Sequence, residues 1–512
     1  MPFLKTLDYL FILASGAIFT LLNYHSFDGS FLEIIIAIAV QFSSNVILLG
    51  LFSFNNLVLK ISALFFLFCC LFAFFIFKQY GIAIDEMVIL NIMDNLDNYE
   101  AINLVSSAFY VFLFLIFIFA ILKIKIISGN IYKKITTFIT AIAIVGAFVL
   151  AHDQYVNKNF FAIYSPINVV SGFIQYANKV SKIKAAQTKN LSEIYKFKNT
   201  NAKKINVILV LGESARADHF SLDGYNRDTN PLLKKTKNLV FFKDVTPCAN
   251  STSYSVPCIL SHQDRQDFDL AMNEYSNVIS AYKNLGFKTH WISTQSAFGK
   301  ENLILKNAIQ AQNIKMKSSY RSESYQNENR FLDEFLLKDL NEAVSHSNEN
   351  NFVVMHTNGS HFPLDRFIGK KFMIFNPSCY EKTPQLCKKE ELVNAYDNTI
   401  LYTDFFLSQL FKSLENTNSI VIYVSDHGSF LGEGDKYYHG NKEDYDKPQH
   451  RVPMMFWVSD KLMQDKEFVQ RFNNAKKKSK NKLSHDNVFY STLGCSGVVS
   501  DIKDASKRDF CR

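Results

Sequence analysis

Apolar positions fall in two regimes along the 512-residue chain. Five apolar runs crowd the first part: Tyr9–Tyr24, Ile34–Phe54, Ile61–Phe77, Ala108–Leu122 and Ile135–Ala151. Each approaches the roughly 20 residues that a helix needs to cross a bilayer, the last two by borrowing flanking residues. One short run fits a buried core helix, whereas five in close succession predict a membrane domain over residues 1–151. The first run does not read as a cleaved leader, because a second span follows and no small-x-small site stands near it.

From Asn201 the pattern changes to short apolar runs that alternate with helical segments. Ile205–Leu211, Lys288–Ile292, Phe352–Met355, Ile420–Val424 and Val452–Val458 read as strands. Asn277–Leu285, Phe331–Val344 and Glu391–Leu414 read as helices. This alternation predicts an α/β domain over 201–512, with a central, mostly parallel sheet and helices on both faces. Residues 152–200 form a bridge. In it Val169, Val170, Phe173, Ile174, Ala177 and Val180 recur at helical spacing beside Lys179, Lys182 and Lys184. A helix lying in the membrane interface and one packed on the second domain fit this pattern equally.

Charge orients the spans. Lys5, Lys60, Lys123, Lys125, Lys133 and Lys134 lie on segments expected to face the cytoplasm. The loop after span 1 has no Lys or Arg, and the loop after span 3 sets Asp85, Glu86, Asp94, Asp97 and Glu100 against Lys78. Five spans with a cytoplasmic N-terminus place everything after Ala151 outside. Cysteine usage agrees. Cys69 and Cys70 lie within span 3, and the other six stand as close pairs: Cys248 and Cys258, Cys379 and Cys387, Cys495 and Cys511. Six cysteines leave many connectivities open. Close pairs without zinc-type spacing suit stapled loops in an oxidising compartment. The net charge of +8 is spread over many lysines, with no basic block or aromatic-basic array, so nucleic-acid binding is not expected.

Candidate chemistry lies where the strands end. Ile205–Leu211 leads into Gly212-Glu213, Phe352–Met355 into a segment that reaches His361, and Ile420–Val424 into Ser425-Asp426-His427. Open α/β sheets bind ligands at the carboxyl ends of their strands, so these side chains can converge although far apart in sequence. Carboxylates with imidazoles suit Zn²⁺. His439 follows in a Gly-rich loop able to fold over the same place. Taken singly, each residue reads more simply as a cap, a surface histidine or a salt-bridge partner. The ordered set is far more specific.

These residues stand in motifs: Gly212-Glu-Ser-Ala-Arg216, Leu222-Asp-Gly-Tyr-Asn-Arg227, Thr252-Ser-Tyr-Ser-Val-Pro-Cys258, His356-Thr-Asn-Gly-Ser-His361 and Ser425-Asp-His-Gly428. Over nearly its whole length the chain resembles the lipid A-modifying phosphoethanolamine transferases of the alkaline-phosphatase superfamily, which include the mobile colistin-resistance enzymes. The resemblance implies a five-helix transmembrane domain and a periplasmic domain of alkaline-phosphatase/sulfatase type. It implies a multi-pass, monomeric protein of the bacterial inner membrane. It assigns Zn²⁺ to Glu213, Thr252, Asp426 and His427, and makes Thr252 the nucleophile, a choice that the neighbouring Ser251, Ser253 and Ser255 leave open on sequence alone. It gives His361 and His439 to catalysis, to the substrate phosphate or to a second zinc ion. Gln295, Ser296 and Lys300 match a phosphoethanolamine-contacting stretch, with a one-residue insertion before Lys300. Asn91, Asn95 and Glu100 match a lipid-contacting triplet, with Asn in place of Thr at 95. It also implies a disulfide between Cys248 and Cys258 around the nucleophile.

The implied reaction moves phosphoethanolamine from phosphatidylethanolamine to Thr252, and thence to lipid A, lipopolysaccharide or another envelope acceptor. Lower surface negative charge would confer polymyxin resistance. A sulfatase would need an Arg after the Pro, and Ser255-Val-Pro257-Cys-Ile259 lacks it. A glycerophosphate transferase and a phosphodiester hydrolase share the layout. A catalytically dead lipid-binding protein would have lost Glu213, Thr252 or Asp426.

Overall fold

The computed structural model describes residues 2–23, 31–52, 56–80, 84–94 and 164–512, the last apart from 186–188, 202, 269–275, 297–301, 329, 346–347, 380, 382–383 and 440–446. It divides into two compact units, residues 1–177 and 178–512. The expected fourth and fifth spans, and Asn95, Glu100 and Lys300, lie outside the described residues.

In the first unit the apolar runs are helices: α1 (Pro2–Asn23), α2 (Phe31–Leu51) and α3 (Asn56–Tyr80), followed by the short α4 (Glu86–Asp94), which carries Asn91. Stretches Ile34–Leu51 and Leu57–Lys78 are long and apolar enough to cross a membrane, and Phe11–Asn23 is a shorter apolar helix. Phe11, Phe19, Leu49, Leu59, Phe66 and Cys70 pack where α1–α3 meet. Gly16 permits the close approach of α1 and α2, since a Cβ there would lie 2.7 Å from Val46 Cγ2. Leu21, Leu57, Ile61, Phe65 and Phe68 remain exposed. Helix α5 spans Ile167–Ala185. In the first unit its Gly172 sits against Ile89 and the Asp85 backbone. In the second its Lys179 ammonium lies 5.9 Å from the centroid of the Tyr254 ring.

The second unit is built on seven strands: β1 (Asn206–Gly212), β2 (Leu239–Phe242), β3 (Lys288–Ser293), β4 (Asn313–Lys315), β5 (Asn351–His356), β6 (Ser419–Ser425) and β7 (Met454–Val458). Their spatial order is β2-β7-β6-β1-β5-β3-β4. From β6 to β4 the neighbours are parallel, while β7 runs antiparallel to both β6 and β2. Parallel strands are covered on both faces, which is why their sequences are unbroken apolar runs. Alternate residues therefore enter opposite cores: Val207, Leu209, Leu211, Phe352, Val354 and Ile422 on one face, Ile208, Val210, Val353, Met355 and Tyr423 on the other.

Helices α6 (Thr252–Leu260), α7 (Val278–Asn284), α10 (Lys466–Lys478) and α11 (Asp486–Cys495) cover the first face. The second is covered by α8 (Phe335–Val344) and α9 (Lys389–Leu414). Helix α10 shows how local sequence sets an end: Asp465 accepts from Glu467 N at 2.9 Å, and Lys476–Lys478 close the last turn, both favoured by the helix dipole. Sequence periodicity did not indicate β2 or β4. Strand β4 is three exposed residues at the sheet edge, with no apolar signature. The register brings Leu211 level with His356, Gly212 with Ser425 and Ser293 with His356. Four strands thus end at one level, and the residues that follow them meet there.

Candidate active site

Glu213 is the first residue beyond β1 and is wholly buried. The turn that carries it needs small residues on either side. A Cβ on Gly212 would lie 2.5 Å from Tyr423 Oη. Gly359 has φ of +47°, and a Cβ there would lie 2.8 Å from Glu213 O. Ser214 takes a left-handed φ of 56° and donates its hydroxyl to Glu213 Oε1 at 2.5 Å. Tyr396 of α9 grips the same turn, donating to Ser214 O at 2.6 Å and accepting from Arg216 N at 2.8 Å.

Asp426 and His427 follow β6 and are also fully buried. Asp426 Oδ1 accepts from Ser214 N at 3.0 Å and His427 N at 2.8 Å. Its Oδ2 is enclosed, 3.3 Å from His427 Nε2, with no hydrogen-bond partner among the described residues. That nitrogen is also 3.3 Å from Glu213 Oε1, and Nδ1 lies 3.1 Å from Gly428 O. A proton on Nδ1 therefore leaves Nε2 aimed at both carboxylates. His439 stacks on His427 with ring centroids 3.9 Å apart, its Nδ1 3.1 Å from Asn250 O. Ligand atoms of Glu213, His427 and His439 lie within 4.8 Å of one another.

Thr252 opens α6, between Cys248 and Cys258, which form a disulfide. Its hydroxyl donates to Glu213 Oε2 at 3.0 Å and lies 3.1 Å from His427 Nε2. It is half-buried and so reachable. The neighbouring hydroxyls are placed differently. Ser255 Oγ is taken up by both backbone groups of Ala249, Ser251 Oγ is enclosed without a partner among the described residues, and Ser253 is buried. The remaining cysteines join as Cys379–Cys387 and Cys495–Cys511, while Cys69 and Cys70 are free and buried in α3.

The electrostatics call for a cation. Burial favours protonating both carboxylates, but the histidines around Glu213, led by His427, hold it well below the usual range. Burial, reinforced by the Glu213 charge, lifts Asp426 to about 7. Burial would lower His427, but the Asp426 and Glu213 charges outweigh it and lift the imidazole to about 9. Two wholly buried carboxylates share one imidazole, and among the described residues Asp426 Oδ2 makes no hydrogen bond beyond its 3.3 Å approach to that ring. A divalent ion bound through oxygen and nitrogen fits that donor set.

Other expected residues fall as follows. His361, half-buried, turns Nδ1 toward Phe362 O at 2.6 Å and lies outside the tight group that His439 completes. Gln295 donates to Glu213 Oε2 at 2.9 Å and Thr357 O at 2.7 Å, so its amide nitrogen buttresses the carboxylate; Ser296 follows it. Sequence reasoning missed His485 and Asp397. Neutral His485, pushed down to about 3 by burial, accepts from Cys248 N and reaches Ser425 O, each at 3.0 Å. It joins the Thr252 loop to the end of β6. Asp397 of α9 receives His219, Tyr225 and Arg227, so Tyr225 and Arg227 of the Leu222–Arg227 motif serve as scaffolding. Nothing local marks Tyr396 or Asp397 except their inward place on a helix.

Strand-end carboxylates and imidazoles around a hydroxyl, on a mostly parallel sheet, define an alkaline-phosphatase-like group transferase. A family model described as Sulfatase matches residues 205–498, and one described as Phosphoethanolamine transferase EptA/EptB matches 41–179. The chain belongs to the phosphoethanolamine transferases of the alkaline-phosphatase superfamily. It is 29% identical over 451 residues to Phosphoethanolamine transferase EptA of Helicobacter pylori, covering 85% of this chain and 80% of that one. It is 30% identical to Kdo(2)-lipid A phosphoethanolamine 7''-transferase of Escherichia coli, over 57% of this chain and 52% of that protein. Among solved structures, the C-terminal periplasmic domain of EptC from Campylobacter jejuni matches at 31% identity and a TM-score of 0.54, over 64% of this chain and 98% of that one. The integral membrane protein EptA of Neisseria meningitidis shares the fold at 24% identity and a TM-score of 0.81, over 99% and 98% of the two chains. The periplasmic domain of Escherichia coli EptC in complex with Zn shares the fold of the second unit at 24% identity and a TM-score of 0.53, over 62% and 89%.

Proposed function

We propose that the chain transfers phosphoethanolamine from phosphatidylethanolamine to lipid A, or to another phosphate- or hydroxyl-bearing part of the lipopolysaccharide, through a covalent adduct on Thr252. The observation that carries this reading is the Thr252 hydroxyl, poised between Glu213 and His427 at the head of α6. Glu213, Asp426, His427 and Thr252 Oγ1 would hold a zinc ion, with His439 completing the set. When bound, zinc supplies the positive charge that makes a threonine hydroxyl acidic enough to attack at neutral pH.

Thr252 Oγ1 passes its proton to Glu213 Oε2, the oxygen to which it already donates, and forms a bond to phosphorus while the bond from phosphorus to the diacylglycerol oxygen breaks. Glu213 keeps the threonine oxygen on line through its Oε2. The dipole of α6 favours the negative charge that Thr252 carries into the helix N-terminus. His361, with Nδ1 turned to Phe362 O, has Nε2 for delivering a proton to the leaving alkoxide. A phosphate or hydroxyl of the acceptor attacks the same phosphorus in the second half, returning Thr252.

Both substrates are amphiphiles, so apolar helices that anchor the second unit in the inner membrane, with its site in the periplasm, confine both to one surface. An added ethanolammonium lowers the negative charge of that surface, which is the property that resists polymyxin.

The test uses headgroup-labelled phosphatidylethanolamine with the full chain and zinc. The expected result is a phosphoethanolamine adduct on the Thr252 peptide by mass spectrometry, discharged by added lipid A. An adduct on Ser253 or Ser255 overturns the nucleophile, and discharge only to water favours a hydrolase.

A further inference from the structure

Two of the polar segments around Glu213 depend on a residue with no part in the chemistry. Asp333 precedes α8 and is 2% exposed. Its Oδ1 accepts from the Thr294 hydroxyl at 2.6 Å and from Asn358 N at 2.8 Å, and its Oδ2 from Gly359 N at 3.1 Å. Each donor lies next to a group that holds Glu213. Thr294 precedes Gln295, whose amide donates to Glu213 Oε2 at 2.9 Å. Gly359 presses on the Glu213 backbone, and Ser360 N donates to Glu213 O at 2.9 Å. One buried carboxylate therefore ties together the clamp on the Glu213 side chain and the clamp on its backbone.

On the reading of Glu213 as a metal ligand, we propose that Asp333 is its positioning residue, fixing the carboxylate for the metal through Thr294-Gln295 and through Asn358–Ser360. The chemistry demands an ionised Asp. Three donors converge on its two oxygens, so the amide of an Asn would turn an N–H toward another donor, loosening at least one clamp. Groups that orient metal ligands from behind change metal affinity by about 10–100-fold when lost.

Asp404 provides the contrast. It too is a buried carboxylate that caps backbone, accepting from Leu232 N at 3.0 Å and Leu233 N at 2.8 Å, but it supports no segment of the site. The experiment compares Asp333→Asn with Asp404→Asn in the full detergent-solubilised chain. Zn²⁺ affinity is measured by competition with a chromophoric chelator, and the thermal midpoint is measured without Zn²⁺. The expected result is a lower midpoint in both variants but a Zn²⁺ affinity weakened about tenfold or more only in Asp333→Asn. Wild-type Zn²⁺ affinity in Asp333→Asn overturns the proposal, whatever happens to the midpoint. If Asp333→Asn does not fold, Thr294→Val, which removes one donor, decides: weakened Zn²⁺ binding supports the proposal and wild-type binding overturns it. A wild-type chain that takes up no Zn²⁺ overturns the ligand role of Glu213, and that of Asp333 with it.

Discussion

Two buried carboxylate clusters lie within the second unit, and they are built on opposite principles. Asp397 is fully enclosed, and its two oxygens receive His219, Tyr225 and Arg227, the last at 2.8 Å. Its charge is balanced and its acceptors are used. Asp426 is equally enclosed, yet among the described residues one of its oxygens makes no hydrogen bond, and it shares His427 with a second buried carboxylate, Glu213. A closed network stabilises a fold. An open one with excess negative charge costs stability and holds binding capacity for a cation. Composition does not separate the two, since each contains Asp and His. The difference lies in how many donors the fold delivers.

The largest test of this contrast removes the group that the open cluster activates. Thr252→Ala should lower transfer by at least about 10⁴-fold, with an unchanged fold by circular dichroism. Substantial activity in that variant would break the assignment of the open cluster to catalysis. Next, Asp426→Asn should weaken Zn²⁺ binding by more than about 100-fold, since a ligand matters more than the groups behind it. Without zinc its thermal midpoint should equal or exceed that of the wild type, because a buried charge has been removed. A fall in that midpoint would place Asp426 with Asp397 as a structural residue.

Asp397→Asn should do the reverse. It should destabilise the unit by about 3 kcal/mol in denaturant unfolding, leaving Arg227 without its buried partner, while Zn²⁺ affinity stays near wild type. The last test concerns His485, which links the Thr252 loop to β6. Burial pushes its pKa down to about 3, against about 6.5 in an unfolded chain. The unfolded chain therefore takes up the proton first as pH falls. The contribution of neutral His485 is complete above about pH 6.5 and is lost progressively as pH falls toward 3. The stability of wild type relative to His485→Gln should shrink between pH 6.5 and 4. A pH-independent difference would show that the imidazole does not fold neutral.

Much of this molecule was legible because its strands are covered on both faces. Unbroken runs such as Ile420–Val424 mark buried parallel strands, and the observed β6 exceeds that run by one residue at each end. Strand β4 was not legible, because three exposed edge residues carry no burial pattern. Among site residues, Glu213, Asp426 and His427 stood out because each follows directly on a strand. Ser214 and Gln295 hold Glu213 through contacts that spacing does not encode, and Asp333 acts from further off still. His439 and His361 looked equivalent in sequence, yet the fold stacks His439 on His427 and leaves His361 outside the tight group.

Sequence by itself determined the division into an apolar helical part and an α/β part, the strand-end candidates and the family. These rest on local periodicity and on motifs read in order. Tertiary structure decided which hydroxyl in the Ser-Thr run faces the carboxylates and which histidine joins them. Those outcomes depend on sheet register, which sets residues more than 200 positions apart side by side, as in the 3.0 Å bond from Ser214 N to Asp426 Oδ1 across 212 positions.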